Sequence, residues 1–278
     1  MKLPSADLIK AQVRLALDED IGSGDRTADL ISEGALSRVE VVCRERALLC
    51  GTVWFDEVFR QLAPGVDILW LAADGDWVDT GRAVCELHGD TRALLSGERT
   101  SLNYLQTLSG TATLAHCYAD IVAGTGVRIL DTRKTLPGLR VQQKYAVLCG
   151  GCDNHRIGLY DAILLKENHI RAAGSVSIAV RAALASASDI EVKVEVESLA
   201  QLSEAINAGA RRILLDNFSL EQLREAAVFA GGKARLEASG GVNMDTIRAI
   251  AETGVDDISV GALTKDVTAI DFSMLFID

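Results

Sequence analysis

Arg133-Lys134, His155-Arg156 and Lys166 are cationic candidates grouped within one short stretch of chain. An arginine fork grips a carboxylate or phosphate through two parallel hydrogen bonds, and a lysine adds a point charge. Downstream come two acids, Glu195 and Asp216, and two glycine turns, Ser239-Gly240-Gly241-Val242-Asn243 and Val260-Gly261-Ala262. Glycine lets a backbone approach a phosphate closely, and a helix starting just beyond offers free N–H groups and the positive end of its dipole. Carboxylates suit Mg2+, which keeps several waters and also takes phosphate oxygens. They suit equally the oxocarbenium-like state of a sugar losing its leaving group. Together these features describe transfer of a phosphosugar from a pyrophosphate donor. Arg140 and Lys144, after Pro137-Gly138, are weaker candidates for the cationic set. Lys166 has a competing reading as a Schiff-base lysine at a strand end.

The elements that must position these residues follow from periodicity. After Gly124, apolar strands alternate with helices in the rhythm of βα units. Strands are predicted over Arg128–Leu130, Ala162–Leu165, Ile190–Val196, Arg212–Leu215, Ala234–Ala238 and Asp257–Val260. Helices are predicted over Ser198–Ala208, Ser219–Ala230 and Asn243–Glu252, each opening on a good N-cap residue. Six such strands fit a small or incomplete (β/α) barrel, with a doubly wound sheet as the alternative. Thr132-Arg133-Lys134, Lys166 to His169, Glu195 to Glu197, Asp216-Asn217, Ser239 to Gly241 and Val260-Gly261 all fall at strand C-termini. In a barrel, that face carries the active site. In Glu191 to Glu197, charge and valine alternate with period two, so one face of that strand is wholly ionic. Either this is an edge strand with a solvated face, or the barrel lumen is polar and holds a ligand.

The first half reads as mixed α/β: a helix over 8–17, a β-rich stretch over 38–50, and short strands near 67–71, 77–78 and 83–87. A long helical region over 92–123 is interrupted by Gly97 and Gly110. The 278 residues are 49% apolar and 24% charged, ordinary for a globular protein. The net charge of −11 disfavours nucleic acid and anionic membranes as partners. Locally the field reverses: between Arg128 and Ala173 eight Lys/Arg face four acids. No apolar run approaches the ~18 residues of a membrane span, and no secretory leader pattern is visible, so the expected location is the cytoplasm. Of six cysteines, Cys149 and Cys152 form a C-x-x-C with no second pair, read here as inert small residues in a glycine turn.

The run Gly97-Glu98-Arg99-Thr100-Ser101-Leu102-Asn103 resembles the quinolinate phosphoribosyltransferases, also called carboxylating nicotinate-nucleotide pyrophosphorylases. The likeness continues in order through Leu130 to Thr135, Pro137 to Arg140, Asn154-His155-Arg156, Leu165 to Ile170, Leu215-Asp216-Asn217, Ala238 to Gly241 and Asp257 to Gly261. Asp20 to Asp25 resembles the family's N-terminal signature. The resemblance implies an N-terminal α/β sandwich (1–112) and a C-terminal open (β/α) barrel (113–264), with the tail 265–278 returning to the first domain. It implies a homodimer in which Arg99 reaches the partner's site. The implied reaction joins quinolinate to phosphoribosyl pyrophosphate, giving nicotinate mononucleotide, pyrophosphate and CO2. By position, Arg99, Arg133, His155, Arg156 and Lys166 would hold the quinolinate carboxylates, with Lys134 facing the phosphates. Glu195 and Asp216 would hold the ribose and Mg2+, directly or through water. Ser239, Gly240, Gly241 and Gly261 would cradle the 5′-phosphate, with Thr132, Val260 and Ala262 in the same binding set. Lys134, Lys166, Glu195 and Asp216 would be the catalytic group. Cys152 departs from the glycine many relatives carry there. A paralogue linked to molybdenum metabolism with another acceptor, or a non-catalytic phosphosugar-binding module, are the competing readings.

Overall fold

The computed structural model describes residues 3–187 and 189–277. Its helices are α1 (Ala6–Ile21), α2 (Thr52–Leu62), α3 (Thr91–Ile121), α4 (Arg140–Cys149), α5 (Glu167–Ala173), α6 (Val176–Ser186), α7 (Leu199–Asn207), α8 (Leu220–Ala230), α9 (Ile247–Ala251) and α10 (Ala262–Lys265). Its strands are β1 (Leu36–Cys43), β2 (Ala47–Leu48), β3 (Asp67–Trp70), β4 (Trp77–Val78), β5 (Ala83–Asp90), β6 (Arg128–Leu130), β7 (Ala162–Leu165), β8 (Glu191–Val196), β9 (Arg212–Asp216), β10 (Arg235–Ser239), β11 (Asp257–Ser259) and β12 (Phe272–Phe276). Among the described residues, no helix is long and apolar enough to cross a membrane.

The chain divides into two units. The first runs to His116 and takes in Val141–Gly151 and the chain from Asp266 onward; the second comprises Cys117–Arg140 and Cys152–Lys265. The second unit is therefore not the continuous 113–264 read from the sequence. Nearly all of α4 departs to the first unit, where Gln143 donates to Thr111 Oγ1 at 3.5 Å and the Tyr145 ring meets Trp54 at 5.5 Å between centroids. Local periodicity carries no signal for such a return.

In the first unit, an antiparallel sheet of order β12-β1-β5-β3 places Val39 opposite Leu87 and Val41 opposite Cys85. These side chains are buried against Phe55 and Phe59 of α2 and Leu94, Leu102 and Leu105 of α3. The chain end adds Ile270 and Phe272 to the same core. Gly97 and Gly110 do not interrupt α3, which runs unbroken for 31 residues. At Gly110 a Cβ would lie 2.1 Å from the Thr268 carbonyl oxygen, so the absent side chain makes room for the returning tail.

The second unit is a sheet of six parallel strands, order β6-β11-β10-β9-β8-β7, with a helix after each strand from β7 to β10. Ser175, Ser198 and Ser219 cap α6, α7 and α8, accepting from Ile178, Gln201 and Gln222 N–H. Asn243 does not start a helix as expected. Its Oδ1 accepts from Asp245 and Thr246 N–H in a turn, and α9 begins only at Ile247. β8 lies between β7 and β9, which removes the edge-strand reading. Val194 and Val196 are fully buried and Lys193 is 8% exposed, so both faces of β8 are covered and one of them is ionic.

The register aligns that ionic face across strands. Its lowest tier holds Asp257, whose Oδ1 meets Arg128 Nε and Arg235 Nη2 at 2.8 Å each, and whose Oδ2 meets Arg212 Nη1 at 3.5 Å. Arg212 Nε also pairs with Glu191 at 2.8 Å. Burial would raise the Asp257 pKa, but Arg235 and Arg128 hold it below the usual carboxylate range.

Two outcomes are expected. Gly110→Ala should destabilise the protein by about 1–3 kcal/mol in urea unfolding despite alanine's better helix propensity, because the methyl meets the tail backbone. No loss would mean the tail yields freely. Removing one partner of a buried ion pair costs about 3–5 kcal/mol, and here half-exposed arginines reduce the expected loss for Asp257→Asn to about 1–3 kcal/mol. With a lowered folded pKa, the carboxylate's contribution is present above its unfolded value and lost as pH falls through the folded one. The stability gap between wild type and Asp257→Asn should therefore close in acid; a pH-independent gap would assign the effect to packing.

Candidate active site

Above the Asp257 tier lies a second, more deeply buried one. Lys193 Nζ is 3.2 Å from His155 Nε2 and 3.4 Å from Glu237 Oε2, and His155 Nε2 is 3.4 Å from Glu237 Oε1. Burial opposes the Glu237 charge, but His155 and Lys193 hold its pKa below the ordinary value. His155 Nδ1 accepts from Arg156 N–H at 2.8 Å, so a neutral ring carries its hydrogen on Nε2, facing the lumen. The His155 N–H is in turn held by Asp131 Oδ1 at 2.8 Å. His155 was expected among the carboxylate-binding cations. Its Nδ1 is engaged by the Arg156 amide, and its Nε2 lies beside Lys193 and Glu237.

The sheet is open between β6 and β7. Residue Asp153 pairs with Leu130 as an isolated parallel bridge, so this segment runs along the β6 edge. From there Arg156 Nη1 reaches across to the Ala162 carbonyl at 3.1 Å, at the start of β7. Burial, and then the nearby Arg133, both disfavour the Arg156 charge. Arg133 Nε is itself buried and meets no acceptor among the described residues. Two adjacent guanidiniums, one with a buried donor that has no partner among the described residues, are suited to receive an anion.

The third tier lies at the strand ends. Glu195 pairs in register with Leu214, two residues before Asp216, and Asp216 pairs with Ser239. The period-two rule therefore sets Glu195, Asp216 and Ser239 on the same face as Lys193 and Glu237. Lys166, just past β7, meets Glu195 Oε2 at 2.6 Å. Its backbone N–H is held by His169 Nδ1 at 3.0 Å, which closes the first turn of α5. Asp216 Oδ2 accepts from Asn217 Nδ2 at 2.9 Å. One oxygen of each acid is thus held by a neighbour. Two carboxylates at adjacent strand ends fit Mg2+, which needs few protein ligands when waters and phosphates complete its shell.

The glycine loops interlock with these tips. Asn217 adopts φ 56° and donates its N–H to the Ser239 carbonyl at 2.9 Å. A Cβ on Gly240 (φ 96°) would lie 2.1 Å from Asn217 Oδ1, so only glycine fits. The helix expected to follow this loop starts too late to aim its dipole at it, leaving the Ser239-Gly240-Gly241 backbone as the candidate phosphate cradle. On the other side, Gly261 supports the Lys134 side chain, whose Cδ would be 3.1 Å from an added Cβ. Thr264 Oγ1 ties this loop to the Lys134 carbonyl at 2.8 Å, and Thr132 Oγ1 accepts the Lys134 N–H at 3.0 Å. Val260 is fully buried, so it and Ala262 shape the backbone of the turn.

Three further cations were named from the sequence. Arg140 latches the loop, donating to Thr135 Oγ1, the Arg133 carbonyl and the Ile157 carbonyl. Lys144 is buried in the first unit. Arg99 is exposed on α3, also in the first unit, and among the described residues it forms no ion pair. Conversely, Glu237 and Asp131 were not singled out from the sequence. An acid inside the otherwise apolar Leu236–Ala238 was the available signal for Glu237.

Comparison with known proteins agrees along the whole chain. Residues 25–109 match the quinolinate phosphoribosyl transferase N-terminal domain, and residues 111–275 match its C-terminal domain. The chain is 41% identical to a probable carboxylating nicotinate-nucleotide pyrophosphorylase of Bacillus subtilis, over 92% of this chain and 89% of that protein. It is 39% identical to the Mycobacterium leprae enzyme of that name, over 96% and 97% respectively. The solved structure of the nicotinate-nucleotide pyrophosphorylase from Francisella tularensis superposes with a TM-score of 0.96 at 46% identity, covering 99% of this chain and 98% of that one. Open parallel sheet, a buried arginine donor without an acceptor among the described residues, acids at adjacent strand ends and matched domains together assign the chain to the quinolinate phosphoribosyltransferase family.

Proposed function

We propose that this protein transfers the phosphoribosyl group of phosphoribosyl pyrophosphate to quinolinate with loss of CO2, as a step of NAD biosynthesis. The observation that carries this reading is the Arg133–Arg156 pair, in which the buried Arg133 Nε meets no acceptor among the described residues. Quinolinate brings two carboxylates to such a site. Nearby, Lys166 is poised on Glu195, ready to add charge to the acceptor or to the leaving pyrophosphate. That ion pair also weakens the Schiff-base reading, which needs a free amine.

Both substrates are anions and repel one another. Fixed cations offset that repulsion and hold the ring nitrogen near the ribose C1. Glu195 and Asp216 are the residues to hold Mg2+, which when bound neutralises the pyrophosphate. The same carboxylates stabilise positive charge as it develops on the ribose. The glycine loop 239–241, with Gly261, receives the 5′-phosphate beside Lys134. After transfer, the cationic pyridinium nitrogen stabilises the electron pair left on the adjacent ring carbon when its carboxylate departs as CO2, and that carbon then takes a proton from solvent, so no protein nucleophile is needed. Arg99 completes the acceptor site from the partner subunit of a homodimer, and the enzyme acts in the cytoplasm.

Purified protein with quinolinate, phosphoribosyl pyrophosphate and Mg2+ should form nicotinate mononucleotide, and nicotinate should replace quinolinate poorly. An acceptor lacking one carboxylate leaves a buried guanidinium unpaired, at a cost of about 1–3 kcal/mol or more, roughly a tenfold to hundredfold loss in kcat/KM. Equal turnover of the two acids would remove the quinolinate assignment and favour a paralogue with another acceptor.

The shared site is tested by complementation. Arg99→Ala and Arg133→Ala homodimers should each be nearly inactive. Coexpressed, random pairing makes half the dimers mixed, each with one intact site, and activity should recover to roughly a quarter of wild type. Mixed dimers without recovery would place Arg99 in its own chain's site or in folding alone.

A further inference from the structure

Cys50 and Cys149 are 99 residues apart in sequence, yet their sulfurs lie 3.5 Å apart. A carboxylate oxygen of Asp74 joins them, with all three ligand atoms within 4.8 Å of one another. Among the described residues this is the one such grouping of Cys, His, Asp or Glu. It lies wholly in the first unit. We propose that Cys50, Asp74 and Cys149 form a binding site for a thiophilic divalent cation of the zinc class.

The Cys50 thiol donates to Cys149 Sγ at 3.5 Å, and the spacing suits a shared ion better than a disulfide. Two thiolates sharing a tetrahedral zinc, each at ~2.3 Å, stand about 3.8 Å apart. A disulfide needs them at about 2.05 Å, well over an ångström closer than they are. The carboxylate is held as a ligand should be. One oxygen, Oδ1, accepts from Gly51 and Thr52 N–H at 3.0 and 3.1 Å, where α2 begins. The other, Oδ2, accepts from Tyr145 Oη at 2.8 Å. Such partners fix a ligand's orientation, and losing one typically weakens metal binding by 10–100-fold.

The other buried thiols of the first unit behave differently. Cys43 donates to the Glu45 carbonyl, and Cys85 packs in the apolar core. Cys50 is fully buried, whereas Cys149 and Asp74 are half-buried, which leaves a side for the ion and a completing water to enter. The soft sulfur pair separates this site from the all-oxygen set of Glu195 and Asp216, since thiolates select zinc-like ions and carboxylates with phosphates select Mg2+. Binding is an exchange: each ion that bonds to both sulfurs expels two thiol protons to solvent. A cation there ties the start of α2 and the end of α4 together, so it stabilises the folded state by mass action.

The test uses the full-length protein, reduced and freed of metal, titrated with Co2+ as a spectroscopic probe. The expected result is one equivalent bound, with a thiolate-to-cobalt charge-transfer band, release of two protons, displacement by Zn2+ and indifference to excess Mg2+. Cys50→Ala and Cys149→Ala should abolish the band, and Tyr145→Phe should weaken binding 10–100-fold while leaving the band's shape. Cys117→Ser should change nothing. Should the cysteine variants fold poorly, one equivalent of Zn2+ should still protect Cys149 of the wild type from iodoacetamide, read by peptide mass. The proposal is overturned by any of three results: no band in the folded wild-type protein, a band that persists in both folded cysteine variants, or Cys149 alkylation that Zn2+ does not slow.

Discussion

Charge placed inside a parallel sheet has to be matched, because the interior cannot solvate it. The six-stranded sheet of this protein carries an ionic face in three tiers, and they are matched to different degrees. The lowest pairs Asp257 and Glu191 with three arginines. In the middle one, Lys193 and Glu237 face each other across His155. At the top, Lys166 has Glu195, while the Arg133 and Arg156 guanidiniums lie near each other and the Arg133 Nε meets no acceptor among the described residues. The two lower tiers hold the strands at fixed spacing, and the top tier is completed by what binds.

This division explains why residues that look alike in the sequence do different work. Arg133, Arg140 and Arg156 lie within 24 positions of one another, yet Arg140 is engaged by backbone carbonyls and a threonine hydroxyl. Its three contacts hold the loop that presents Arg133. His155 has a similar supporting part: its ring braces the interior and receives the Arg156 amide. The glycine loops act by close approach, Gly240 against Asn217 and Gly261 beneath Lys134. Each fixes the tip of a strand that carries a reacting or binding group.

Much of this was legible beforehand. The strands of the second unit were predicted to within about two residues, since buried parallel strands are short apolar runs between polar ends. The alternation in Glu191 to Glu197 put its charges on one face and left open whether solvent or the lumen meets it, and the neighbours of β8 on both sides decided that this face is covered. Helix starts were legible at Ser198 and Ser219, where a hydroxyl meets the third amide on. At Asn243 the same residue chemistry caps a turn instead, since Asx side chains serve both purposes. Helix α2 went unplaced in Thr52–Leu62, a stretch whose valines and aromatics suit a strand equally well.

The sequence by itself determined which residue types stand at which strand ends, because the apolar period and the positions of glycine, acid and base are properties of the chain alone. It therefore determined the class of fold and the anionic, phosphate-bearing character of the ligands. Only the tertiary structure decided which cations are free to act, since that depends on whether an acceptor lies within hydrogen-bond reach: Arg140 has three, and Arg133 Nε has none among the described residues. It also decided that Cys149 belongs with Cys50 and Asp74 rather than with Cys152, three positions away. Such pairings arise from chain return, and chain return is set by the packing of whole elements, to which local spacing is blind.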